Sequence, residues 1–267
     1  MHDHSDWLKM KLTFLGTRSS ESSTSETHRR HSALLVESGE ERLLLDCGSD
    51  WQSSLEQLAP TAILLTHAHD DHAGGLSLPY PCPVHAGKDC WKALEQRGLP
   101  VDQMLENGEL SPVFGELRVL PFAVEHSLRS PMLGLRISDT VDSFVYLPDV
   151  ANLADPRKNL LGASLYIADG TTFGNELTRT EAGASCGHAS IIRQLVWAAR
   201  ANVRQIFFTH CGTGILADVL RAERTLKGLS ARLGLHAAFA RDGMELVRGA
   251  GPGSGVFKQV ETCQVIA

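Results

Sequence analysis

Apolar residues fall in short runs separated by polar and glycine-rich stretches. Residues 11–15 form one run closed by Gly16, and 33–36 and 42–45 form two more around Glu37-Ser38-Gly39-Glu40-Glu41. Runs of four or five bounded by turn residues predict strands, and the intervening glycine predicts a hairpin. Residues 17–30, rich in Ser and Thr, predict an unusually long loop. Residues 52–58 have helical spacing stopped by Pro60, and 62–65 predict a buried strand leading directly into Thr66-His67. Further strands are predicted at 117–120, 133–137, 144–147, 165–168 and 205–208, with helices at 88–97, 189–201 and 216–233.

Strands come first in bulk and then alternate with helices. That order predicts an α/β (α+β) chain with two packed sheets and helices on the outer faces, one domain to which each half contributes a sheet. The 267 residues are ample for such a core. The stretch Gly249-Ala250-Gly251-Pro252-Gly253-Ser254-Gly255 is the one linker-like segment, so 256–267 predicts an extra strand or a loose tail, and 1–9 a polar tail. No solenoid period or coiled-coil heptad interrupts this reading.

Composition narrows the function classes. At 43% apolar and 21% charged the chain has the balance of a globular protein. A net charge of −6 with scattered Lys and Arg offers no footprint for extended nucleic acid and favours a small substrate. Six cysteines without a C-x-x-C pair fit reduced thiols in the cytoplasm. Neither a leader's apolar segment nor a membrane span is visible, and oligomeric state, including a homo-oligomer, is left open.

The chemistry concentrates just past the strand at 62–65. His67, His69, Asp71 and His72 lie within six residues and supply the nitrogen and oxygen donors that Zn²⁺ and related ions prefer. His67 and His69 are expected to point to one side while Asp71 and His72 turn onward, with Asp70 facing solvent or a hydrogen-bond partner. Gly74-Gly75 then permits close backbone packing, and a plain turn explains the pair equally well. Further donors should lie on other strand ends, and His126, Asp149 and His210 each follow an apolar strand. Any one of them alone is as well explained as a satisfied polar residue at a strand end; their shared placement favours a ligand role.

Thr66-His67-Ala68-His69-Asp70-Asp71-His72, followed in order by His126, Asp149 and His210, resembles the signature of the metallo-β-lactamase-fold hydrolases over roughly residues 11–247. The resemblance implies a four-layer αββα sandwich and two divalent metal ions, Zn²⁺ best, with Mn²⁺, Fe²⁺ or Ni²⁺ as alternatives. It implies that His67, His69 and His126 bind one ion, Asp71, His72 and His210 the other, and that Asp149 bridges them. Ser127-Leu128 after His126, in place of Thr-Pro-Gly-His, resembles the ribonuclease Z and cyclic phosphodiesterase branch. So do Gly187-His188-Ala189-Ser190 and Asp169-Gly170-Thr171-Thr172-Phe173.

Within that branch, Arg29-Arg30 and Asp242-Gly243-Met244-Glu245 resemble the cyclic phosphodiesterase of phosphonate breakdown. Its cysteine cluster for a structural zinc has no counterpart in residues 17–27, and Gly212-Thr213 after His210 supplies no further histidine for one. Only 22 residues separate His126 from Asp149, too few for the arm with which many ribonuclease Z enzymes grip tRNA.

The implied reaction is cleavage of a small or cyclic phosphodiester, with a metal-bridged hydroxide as nucleophile. His188 is then the general acid and Asp169 its partner, with Asp71 also counted in the catalytic set. The bland alternative makes His188 a turn residue before a helix starting near Ala189. Two other functions stay open: a thioester or lactone hydrolase, and a non-hydrolytic ligand-binding accessory in a biosynthetic pathway. His28 and His31 flank the long loop, where phosphate contact is conceivable; His85 is expected to end a strand, and His2 and His4 to lie in a tail.

Overall fold

A computed structural model describes residues 10–248 and 256–260. The first half of the chain lays down β1 (Lys11–Gly16), β2 (Ala33–Ser38), β3 (Glu41–Leu45), β4 (Ala62–Leu65), β5 (Val84–Gly87) and β6 (Gln103–Leu105). Then come β7 (Ser111–Phe114), β8 (Leu117–Val124), β9 (Met132–Ser138), β10 (Ser143–Tyr146) and β11 (Leu165–Asp169). A separate hairpin, β12 (Leu177–Glu181) and β13 (Ala184–His188), precedes β14 (Gln205–Thr209), β15 (His236–Phe239), β16 (Glu245–Arg248) and β17 (Phe257–Val260). One eight-stranded sheet runs β17-β16-β1-β2-β3-β4-β5-β6 and a seven-stranded sheet runs β15-β14-β11-β10-β9-β8-β7.

Alternation along these strands explains their unbroken apolar runs. In β3, Leu43 and Leu45 face the layer between the sheets, where they meet Leu135, Ile137, Phe144 and Phe207. Leu44 faces the opposite way and joins Trp51, Leu55, Leu58 and Leu94 under α1 (Leu55–Leu58) and α3 (Lys88–Gln96). Between these helices in sequence lies the short α2 (Asp70–Ala73), and after them α4 (Pro156–Leu160). The outer face of the second sheet packs Val145, Tyr166 and Phe208 against Ile191, Leu195 and Leu226 of α5 (Ile191–Arg200) and α7 (Val219–Arg232); α6 (Thr213–Leu216) comes between those two. Strands buried on both faces need apolar residues at every position, and the result is the expected four-layer αββα sandwich.

The differences from the sequence reading have local causes. The helix expected at 216–233 divides, because the Asp218 side chain accepts from the Arg221 amide and starts α7 afresh. Residues 52–58 yield only the single turn of α1, preceded by a 3₁₀ turn at Ser49–Trp51. Ser190 caps α5, so that helix begins two residues after Ala189. His85 sits inside β5 instead of ending it. Part of 256–267 does add a strand, β17 on β16; residues 1–9, 249–255 and 261–267, with His2 and His4, lie outside the described residues.

Candidate metal centre

β3, β4 and β5 are parallel, as are β10, β11 and β14, so their carboxyl ends share one rim of the sandwich. Loops leaving those ends carry the chemistry, the arrangement expected of open α/β sheets. β4 delivers His67 and His69, and α2 turns Asp71 and His72 inward. β8 ends just before His126, β10 before Asp149, and β14 before His210. Asp70, by contrast, is left exposed beside Arg97, Oδ1 to Nη2 3.3 Å.

All seven candidate ligands come together. His67, His69, His126 and Asp149 form one group and Asp71, His72 and His210 another, each with donor atoms within 4.8 Å of one another. Asp149 stands between them, its Oδ2 3.3 Å from His67 Nε2 and 3.1 Å from His72 Nε2, its Oδ1 2.8 Å from His210 Nδ1. His210 Nε2 is 3.0 Å from Asp71 Oδ2, and His67 Nε2 is 2.9 Å from His69 Nδ1.

Outer atoms anchor several of these rings. His72 Nδ1 lies 2.9 Å from Asp46 Oδ2, His67 Nδ1 3.0 Å from Thr66 Oγ1, and His126 Nδ1 3.1 Å from the Gly187 carbonyl. Their Nε2 atoms are thereby left for the centre, the usual way a ligating histidine is oriented. His72 Nε2 and Asp149 Oδ1 are buried and, although Asp149 Oδ2 lies 3.1 Å from the first and His210 Nδ1 2.8 Å from the second, neither is aligned for a hydrogen bond. Such orphaned atoms are costly unless something fills the space between them, and the donor set suits a divalent cation.

Electrostatics point the same way. Burial, reinforced by repulsion from His72 and His126, pushes His67 well below the ordinary histidine range. Burial likewise takes His126 down to about 4 against the pull of Asp149. Both are therefore neutral donors. Burial would raise Asp149, but the imidazoles of His210, His126 and His72 hold it well below the carboxylate range. In turn burial opposes charge on His72 and His210, yet Asp149 and the other carboxylates lift His72 to about 10 and His210 well above its normal value. The cluster demands positive charge, which protons or a metal ion can supply.

Beside it, His188 ends β13 with Nδ1 2.8 Å from Asp169 Oδ2. Its ring lies 5.2 Å from that of His126 and stacks 5.6 Å from that of His210. Burial works against its charge, but Asp169 raises it, and His188 in turn keeps the buried Asp169 at about 2. Asp149, Asp169, His188 and His210 also lie close enough to form a third potential donor group. The hairpin is held in place by the Gly187 amide, which donates to the His126 carbonyl at 2.7 Å. Gly187 has φ +109°, and a Cβ there would stand 1.9 Å from the Leu177 carbonyl oxygen, so only glycine fits.

The long loop folds over the same rim. Arg18, 8% exposed, donates to the carbonyls of Ser22 (2.8 Å) and Arg29 (3.2 Å) and to Asp50 Oδ2 (3.0 Å). The loop so pinned brings the Ser20 amide to 3.1 Å from Asp71 Oδ2. His31 sits at its edge, 3.1 Å from Ser49 Oγ. His28 is fully buried against Thr17 Oγ1 at 2.8 Å, out of reach of a ligand at the rim. Gly75 lets the segment after α2 approach the turn after β3, since a Cβ on it would fall 2.6 Å from the Gly48 carbonyl oxygen.

Asp46 was not singled out by sequence reasoning, although it is fully buried and accepts from Thr66, Tyr146 and the His72 ring. Its only signal was its place at the end of an apolar run.

Residues 41–211 match the Beta-lactamase superfamily domain. The chain is 32% identical over 171 residues to a ribonuclease Z of Methanopyrus kandleri, covering 56% of this chain and 54% of that one. It is 28% identical over 150 residues to the exodeoxyribonuclease YycJ of Bacillus anthracis, covering 50% and 56%. It thus spans about half the length of these curated relatives. A solved diphosphatase from the PhnP family superposes with a TM-score of 0.68 at 20% identity, over 89% of this chain and 97% of that one. The chain belongs to the beta-lactamase superfamily and carries the metallo-β-lactamase fold.

Proposed function

We propose that this hydrolase cleaves phosphodiesters with two divalent ions, Zn²⁺ by preference, held by His67, His69 and His126 on one side and Asp71, His72 and His210 on the other, with Asp149 shared. The two donor groups of the rim favour that division. Bound there, the ions would neutralise phosphoryl oxygens and make water nucleophilic near neutral pH. The observation that carries the choice of substrate is the His188–Asp169 pair. An imidazole whose charged form is favoured by a buried carboxylate, its Nδ1 taken and its ring against two ligand rings, is placed to donate a proton from Nε2.

The step balances simply. A water oxygen forms the new P–O bond, the opposite P–O bond breaks, and the departing alkoxide takes the His188 proton, giving a phosphomonoester and an alcohol. The proton that the attacking water gives up on forming the P–O bond returns, by way of solvent, to restore the imidazolium. A small or cyclic diester is favoured because the segment between His126 and Asp149 is taken up by β9 and β10, leaving no arm there, and the chain is acidic overall. The nuclease names of the two curated relatives favour a second reading, a nucleic-acid end as substrate.

Zinc-loaded protein is assayed on bis(p-nitrophenyl) phosphate, 2′,3′-cyclic AMP, a single-stranded oligonucleotide, a thioester and a lactone. Turnover of diesters, falling by about 10²–10⁴ in His188→Ala at unchanged metal content, supports the proposal. Exclusive turnover of thioester or lactone, or full activity of His188→Ala, overturns it.

A further inference from the structure

The Gln194 side chain, on the inner face of α5, is completely buried. Its carboxamide is fully used. Oε1 accepts from the Tyr166 hydroxyl at 2.9 Å and from the Asp169 amide at 3.1 Å. Nε2 donates to the Asp169 carbonyl at 2.8 Å and to the Ala189 carbonyl at 3.1 Å. Two lone pairs and two hydrogens are all that this group possesses, so no bonding capacity is spare. Its orientation is also fixed: one backbone N–H must face Oε1 and two backbone carbonyls must face Nε2, so a flip would break three bonds at once.

Those backbone groups belong to two elements that share no sheet. Asp169 ends β11 in the second sheet, while Ala189 directly follows His188 at the end of the separate hairpin. One planar amide therefore grips Asp169 on both sides of its Cα and also grips the residue after His188. We propose that Gln194 is a positioning residue that sets the His188–Asp169 distance, and so aims the proton donor at the leaving oxygen. This rests on the reading of His188 as the acid.

The test exploits leaving-group chemistry. A ribose alkoxide needs a proton as it departs, whereas p-nitrophenolate is stable without one. In zinc-loaded Gln194→Met, kcat on 2′,3′-cyclic AMP is expected to fall roughly ten- to a hundredfold, part of the effect of losing a general acid. On bis(p-nitrophenyl) phosphate the fall should be several-fold smaller, with KM and metal content close to wild type. Equal losses on both substrates, or loss of metal in step with activity, overturn the proposal. Tyr166→Phe removes a single bond to Oε1 and serves if Gln194→Met does not fold; it should show the same split at reduced size, and an unsplit loss overturns the proposal equally. Wild type inactive on both diesters would sink the phosphodiesterase reading instead. Positioning is then judged from a crystal structure of a zinc-loaded variant. Separation of His188 Nδ1 from Asp169 Oδ2 beyond about 3.6 Å, outside hydrogen-bonding range, supports it, and retention of the wild-type contact refutes it.

Discussion

Asp46 Oδ2 lies 2.9 Å from His72 Nδ1, and the same carboxylate accepts the Thr66 amide at 2.8 Å, so one buried group holds both ends of the segment from Thr66 to His72. Asp46 itself adopts φ +59°, a conformation tolerated only where the surroundings enforce it. Asp46→Ala is therefore expected to weaken metal binding about 10- to 100-fold without removing any proposed ligand. Competition with a chromophoric chelator measures this; an unchanged affinity would show that the backbone alone positions His72.

The pH dependence of turnover has a definite sign. Asp169 raises His188 above the ordinary 6.5. The protonated acid is present below that raised value and lost as pH climbs through it, which gives kcat/KM an alkaline limb. In Asp169→Asn the supporting charge is gone, so the limb should move to lower pH. A limb that stays put would assign the ionisation to another group.

Chelation should loosen the protein without unfolding it. The three apolar clusters that form the layers contain none of the proposed ligands. An ion present at about 100 times its Kd contributes about 2.7 kcal/mol. Removal of both proposed ions is thus expected to lower Tm by about 10–20 °C for a chain of this size. Calorimetry with and without EDTA checks this, and retained far-ultraviolet dichroism at 25 °C would separate loosening from collapse.

Arg18 is the fastening of the long loop. Arg18→Ala leaves the Ser22 and Arg29 carbonyls and Asp50 without their guanidinium partner. A loss of about 2–3 kcal/mol is expected. Residues 17–30 should then be cut faster by a protease, and binding at Asp71, which receives the Ser20 amide, should weaken. Wild-type protection of the loop from proteolysis in the variant would contradict this.

Much of the fold and the site was legible in the sequence because it is written locally. His67, His69, Asp71 and His72 lie within six residues, and His126, Asp149 and His210 each follow an unmistakable apolar strand. The hairpin of β12 and β13 escaped because its residues, Leu-Thr-Arg-Thr-Glu and Ala-Ser-Cys-Gly-His, are mostly polar and serve no core face. Gln194 escaped for another reason. It looks like a solvent-facing helical residue, yet it lies three after Ile191 and four before Ala198, both fully buried. A lone amide on an apolar stripe was the available clue. Asp46 had no spacing signature, since Thr66 and His72 are brought to it by the parallel pairing of β3 with β4, and Tyr146 by the packing of the second sheet on the first.

The rim draws its groups from both halves of the chain: His67, His69, Asp71 and His72 from loops of the first sheet, His126, Asp149 and His210 from loops of the second. Neither half presents the complete set. The full donor set comes together only once the two sheets have docked, so an ion held by it would be captured late in folding and would clasp the seam. A nascent chain halted before Gln205 would carry most of the core residues and still lack the last jaw of that clasp.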